Sequence, residues 1–151
     1  MKNIELNLSQ SKTILEIKED SEITGVFIGN NTSSINSQII FNVTKPSIKS
    51  RIIIKAVTYD RSAINLDCKI VIPKGIKNVD VYLHIKVLNL SDEAKINIIP
   101  SLEIQENDVK CGHALTIGKP DQQELQYLES RGLSEELAID LIAQGFLKMV
   151  K

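Results

Sequence analysis

The chain has 151 residues, a mass of 16.8 kDa and an apolar fraction of 42%, enough for one domain with a real core. Eighteen Lys and Arg against nineteen Asp and Glu leave a net charge of −1 and a pI near 6.1, which excludes broad attraction to phosphate backbones as the default function. No apolar stretch approaches the ~20 residues that span a bilayer, the start Met1-Lys2-Asn3-Ile4-Glu5 lacks the apolar run of a secretion signal, and Cys68 and Cys111 are too few for a disulfide framework; a reducing, cytoplasmic setting is the expectation.

Twenty-four residues are isoleucine, only three are Phe and three Tyr, and there is no Trp. β-Branched side chains fit the pleated surface of a strand, so the bias predicts β-structure with a narrow core. It does not support the aromatic platforms that bind single-stranded nucleic acid. In chain order, Ile4, Leu6 and Leu8 alternate with polar residues. Apolar runs follow at Ile14–Ile17, Val26–Ile28, Ile39–Val43, Ile52–Val57, Ile64–Ile72, Val79–Leu90 and Ile96–Ile99. Breakers separate them, among them Gly29 to Ser34, Thr44-Lys45-Pro46, Pro73-Lys74-Gly75 and Ser91-Asp92-Glu93. No amphipathic helix of three turns precedes Ile117. Run starts lie roughly 10–16 residues apart, which fits a β-sandwich or a β-solenoid with two or three strands per rung. Without a clean short repeat, base rates favour the sandwich at this point.

The last thirty residues change character. Asp121 can cap a helix, with Glu124 three positions on, Leu125 and Leu128 on one face, and Gly132 placed to close it. Ser134 opens a second helix, with Glu135 and Glu136 in its first turn and a stripe of Leu137, Leu141, Ile142, Gly145, Phe146 and Met149. The expected organisation is a β-body over residues 1–118 and a helical segment over 119–151. So short a hairpin must dock on the body or on another protein.

The segment from Pro100 to Gly118 reads P-S-L-E-I-Q-E-N-D-V-K-C-G-H-A-L-T-I-G, and continues through Leu125-Gln126-Tyr127-Leu128-Glu129-Ser130-Arg131-Gly132 to Gly145-Phe146. It resembles the C-terminal part of the SufB/SufD family of the SUF iron–sulfur cluster assembly system. That family's pattern is P-x-L-E-I-x-x-D-D-V-K-C-x-H-G-x-T-x-G, then L-F-Y-L-x-S-R-G and a helix ending in G-F. The resemblance implies a right-handed parallel β-helix followed by a helical segment, and so favours the β-helix over the sandwich. It further implies a short SufD-like, non-enzymatic scaffold subunit. Its β-body would pair with a SufB-like partner or with itself, and its helices would dock a SufC-type ATPase through Leu125, Tyr127, Leu128, Arg131 and Gly132. A transient iron–sulfur cluster would be built at the subunit interface. Asn107 stands where the family has the first of two aspartates. Ala114 stands where SufD-type sequences have Gly and SufB-type sequences have Glu, so a carboxylate of the B type is absent.

Cys111 and His113 form the candidate metal site. In an extended segment i and i+2 share a face, and thiolate and imidazole are both iron–sulfur ligands. The bland alternative is a small buried hydrophobe and a hydrogen-bonded turn histidine. Cys68, inside an apolar run, reads as structural, and His84 as an outward-facing residue beside Tyr82 and Lys86. Arg131 has a local role at the helix end or a role on an acidic patch of the ATPase. No G-x-x-x-x-G-K-[ST] loop is present, so ATP hydrolysis falls to a partner. Nothing marks a Cys–His nucleophile with an oxyanion hole, or the clustered acids of a polysaccharide lyase. The alternative function is a stand-alone oligomerising β-solenoid with no metal or cluster role.

Overall fold

A strand with one apolar face must bury that face, and strands joined by short corners bury it best by stacking on their own successors. A computed structural model, which describes residues 1–148, shows that stack. Its strands are β1 (Lys2–Leu6), β2 (Lys12–Ile17), β3 (Ser21–Gly29), β4 (Ser34–Val43), β5 (Lys49–Thr58), β6 (Ala63–Ile72), β7 (Val79–Asn89), β8 (Lys95–Ile104) and β9 (Val109–Gly118). Odd strands form one sheet in the order β1-β3-β5-β7-β9, and even strands a second, β2-β4-β6-β8. Every pairing is parallel. The chain is a β-solenoid of about four turns, each laying one strand on each sheet. Alternation within a strand could not separate this from a sandwich, because both arrangements bury one face per strand.

From β3 and β4 onward, stacked positions lie 29 to 32 residues apart, against 19 between β1 and β3 and 26 between β2 and β4, and they form columns. Inside, Ile23, Ile52 and Leu83 make one column and Phe41 with Ile70 another, all fully buried. Cys68 sits in this wall beneath Ile39, and burial together with Asp67 pushes its thiol up to about 12, in keeping with a structural role. Polar columns are satisfied within themselves. Ser21 and Ser50 share a buried hydrogen bond of 2.7 Å, and on the outer face of the even sheet Asn97 donates to Asn65 (2.7 Å) and Asn65 to Asn36 (2.9 Å).

The corners repeat too. Asn31 and Asp60 occupy one corner and Ser47 and Asn78 the other, with φ between 48° and 58°, a region that short polar side chains tolerate. The Asn31 N–H donates to the Asp60 carboxylate at 2.8 Å, and the Asn78 amide donates to Ser47 Oγ at 3.1 Å. Each corner is thereby tied to the next. β8 runs through Pro100, beyond the expected run; as the edge of its sheet it loses no outer ladder bond to a missing N–H.

Two helices follow, α1 (Gln122–Ser130) and α2 (Glu135–Lys148). The Asp121 side chain accepts the Gln123 N–H at 2.8 Å, and Gly132 closes α1 at φ +93°. Ser134 Oγ accepts the Leu137 N–H at 3.3 Å, capping α2. The expected apolar stripe of α2 needs correction. Ala138 and Ala143 are buried, while Leu137 (60%) and Leu141 (49%) are exposed; Met149 lies outside the described residues. Ile142, Ala143, Phe146 and Leu147 pack on Val57 and Leu88, on the outer face of the odd sheet. That face is a flat wall of strand side chains, so small residues bring the helix backbone close. Lys55 Nζ fixes the rotation by donating to the Phe146 carbonyl at 2.5 Å, with its ammonium 5.1 Å from the Phe146 ring centroid.

Because Phe41 is fully buried between the sheets, Phe41→Ala should cost about 3–5 kcal/mol in a denaturant melt. Ile14→Ala, at a position 59% exposed, should stay within about 0.5 kcal/mol of the parent.

Candidate functional site at the open end of the solenoid

A parallel stack leaves its last rung half covered. β9 ends the odd sheet and β8 the even one, and no described strand pairs with the far edge of either. The interior columns continue onto them regardless. Cys111 stacks on Val81, His113 on Leu83, Leu115 on Ile85 and Ile117 on Val87. On β8, Ile98, Pro100, Leu102 and Ile104 continue the columns of Leu66, Cys68, Ile70 and Ile72. In the rung below, all eight of these positions are buried to 3% exposure or less. In the last rung Ile104 is 39% and Ile117 48% exposed.

Cys111 and His113 therefore share the inward face of the terminal strand, with Cα atoms about 6.6 Å apart. Cys111 is half-buried against the core and His113 is exposed. The His113 column is otherwise Ile4, Ile23, Ile52 and Leu83, so an imidazole occupies a place where four other strands carry aliphatic side chains. Burial pushes the Cys111 thiol up to about 11, although the Gly112 N–H favours the thiolate. The free chain thus presents a protonated thiol beside an accessible imidazole. Among the described residues no cluster of three or more His, Cys, Asp and Glu is placed to hold a metal ion.

Tyr82, not singled out from sequence, supports this strand from its other face. A Cβ on Gly112 would lie 2.5 Å from the Tyr82 ring, so the ring fills the space of a missing side chain between Cys111 and His113. Tyr82 also leans against His84, ring centroids 4.7 Å apart, which places His84 half-buried on the outer face. The signal was present in the sequence as Gly112 between the two candidate ligands.

The helical candidates separate by exposure. Leu125 is buried within the chain, Leu128 is half-buried, and Tyr127, Arg131 and Gly132 are exposed. The Arg131 guanidinium lies 5.3 Å from the Tyr127 ring centroid and donates to its hydroxyl at 3.3 Å. Leu128 and Leu141 line a groove between the helices, with Glu124 at its rim. No helix among the described residues is long and apolar enough to cross a membrane.

The fold is that of a parallel β-solenoid with a C-terminal helical hairpin, and it carries a C-x-H pair on its open last strand. Residues 5–146 match the family described as the SufBD core domain of SUF system FeS cluster assembly, and the chain belongs to that family. It is 27% identical over 135 residues to an iron-sulfur cluster assembly SufBD family protein of Mycobacterium bovis, covering 84% of this chain and 34% of the relative. A SufBD family protein of Pyrococcus horikoshii is 37% identical over 94 residues, 62% of this chain and 21% of the relative. The iron-sulfur cluster assembly protein SufD of Bacillus subtilis is 45% identical over 65 residues, 43% of this chain and 15% of the relative. The chain spans about a third of the length of the first of these.

Alkylation of Cys111 should be slow at neutral pH and rise about tenfold per pH unit until it begins to level off near pH 11, where half of the thiol is ionised. Cys68 should stay unmodified in the folded chain. Rapid labelling of Cys111 at pH 7 would contradict the buried, protonated thiol.

Proposed function

We propose that this chain is a SufD-like, non-enzymatic subunit of a cytoplasmic scaffold on which iron–sulfur clusters are assembled. Its open rung pairs with a SufB-like partner, and its helices dock a SufC-type ATPase that supplies ATP hydrolysis. The cluster is cargo at the seam. Cys111 and His113 offer two ligands toward it, and the partner supplies the rest. The observation that carries this reading is the imidazole of His113 on an interior column of the last rung, where a covering chain would bury it against a ligand. Family membership and the SufD relative support the same reading.

On the helical side, Tyr127, Leu128 and Arg131 form the contact surface, Leu125 holds the hairpin together behind it, and Gly132 sets its turn. The exposed Leu141, which lines the same groove as Leu128, extends the apolar part of that surface.

One observation favours a second reading, a self-associating solenoid with no cluster role. The Cys111 thiol is held protonated, and the described residues provide no third ligand beside it.

Co-purification with a SufB-like protein and a SufC-type ATPase, followed by anaerobic iron–sulfur reconstitution, separates the two. The scaffold reading predicts a ternary complex that gains cluster absorbance, with Cys111→Ser or His113→Leu reducing the absorbance but not the assembly. A homo-oligomer that ignores both proteins would sink it. Leu128→Glu and Arg131→Glu should each weaken ATPase binding about tenfold while circular dichroism of the β-body is unchanged. Parent-like binding by both variants would refute the docking assignment.

A further inference from the structure

The outer face of the odd sheet carries a hollow at the foot of α2 that the scaffold reading does not use. It has a volume of about 210 Å³ and is lined by Arg51, Ile53 and Lys55 of β5 and by His84 and Lys86 of β7. Lys55 and Lys86 are register partners on adjacent parallel strands, their Cα atoms ~4.8 Å apart. Like charges placed directly opposite destabilise a sheet, and among the described residues no carboxylate lines the hollow.

The lysine row itself carries no carboxylate: it reads Val26, Lys55, Lys86 and Thr116 across four strands, and the neighbouring row reads Glu5, Thr24, Ile53, His84 and Ala114, its one carboxylate lying on β1, two strands away from Ile53. Asp80 meets Arg51 at 2.7 Å, and Glu22 is the register partner of Arg51, two outward positions away from Lys55. Lys55 is only 3% exposed and donates to the Phe146 carbonyl. Burial and the nearby Lys86 both lower its pKa, so the protein bears a cost to keep two ammonium groups together here.

We propose that this hollow binds a small tetrahedral oxyanion of the phosphate type. Two ammonium groups, Lys86 and a Lys55 whose described partners are a neutral carbonyl and an aromatic ring, match the charge of a phosphate near its dianionic form. Lysines act as point charges with rotatable donors, suited to an anion with several oxygens, whereas flat carboxylates favour the fork of an arginine. The hollow lies below the roughly 300–1,000 Å³ of pockets for larger organic ligands, which restricts the occupant to a few heavy atoms. His84 and Arg51 complete the wall with further N–H groups. Because Lys55 also holds the end of α2, the bound anion would stabilise the seat of the helical hairpin on the β-body.

The test is calorimetric titration of the full chain with inorganic phosphate at low salt, beside Lys86→Gln and Lys110→Gln. Lys86 and Lys110 are both exposed cations on the same face, and only Lys86 lines the hollow. The proposal predicts one saturable site, weakened about tenfold or more by Lys86→Gln and unchanged by Lys110→Gln. It also predicts that phosphate raises the melting temperature of the parent but not of Lys86→Gln. No saturable heat at millimolar phosphate overturns it. Equal weakening by both variants also overturns it, since that outcome means diffuse attraction to a basic face.

Discussion

A parallel strand ladder cannot finish itself. Inside the coil each strand gives its backbone groups to the rungs above and below and its inward side chains to a column of like residues. At the end of the coil both obligations remain open, on β9 for one sheet and on β8 for the other. Unpaired strand edges invite another chain, and natural solenoids cover or blunt them. Here the open rung keeps aliphatic residues on most of its inward positions and places Cys111 and His113 among them. On the proposed reading, cluster assembly and the unfinished ladder meet on the same strand.

Thiol chemistry links covering the rung to loading it. Cys111 is already half-buried, and a partner over β9 would desolvate it further, favouring the neutral thiol still more. An iron cation reverses that balance, because a coordinating thiol gives up its proton to the metal. On the proposed reading, closing the seam and placing the cargo therefore favour each other, and the isolated subunit has little affinity for either metal or oxidant. Tyr82 fills the space beside Gly112, so that the strand carrying Cys111 and His113 is backed on its outer face.

The strands were legible because isoleucine and valine alternate with polar residues at strand lengths; their partners were not. Alternation shows that a face is buried but not against what, and Ile23, Ile52 and Leu83 share a column without sharing a motif. The Asn36, Asn65 and Asn97 ladder was the readable trace of the rung period, since side-chain amides at that spacing bond only to equivalent neighbours. The caps Asp121, Gly132 and Ser134 act locally and could be read locally. The buried side of α2 could not, because Ala143 faces inward on account of the wall of Val57 and Leu88 beneath it and the hold of Lys55 on the helix end. Cys111 and His113 were legible as a pair, but their place on an exposed end of the core follows from how many strands each sheet receives.

The central claim is that the β8–β9 rung is the pairing face and brings Cys111 and His113 to a seam. Hydrogen–deuterium exchange of the chain, alone and in complex with a SufB-like partner, tests it directly. The account predicts that protection gained on pairing concentrates in residues 95–118 and leaves the interior strands β3 to β6 unchanged. Protection that appears at β1 and β2 instead, with β8 and β9 exchanging as freely as in the free chain, would contradict it.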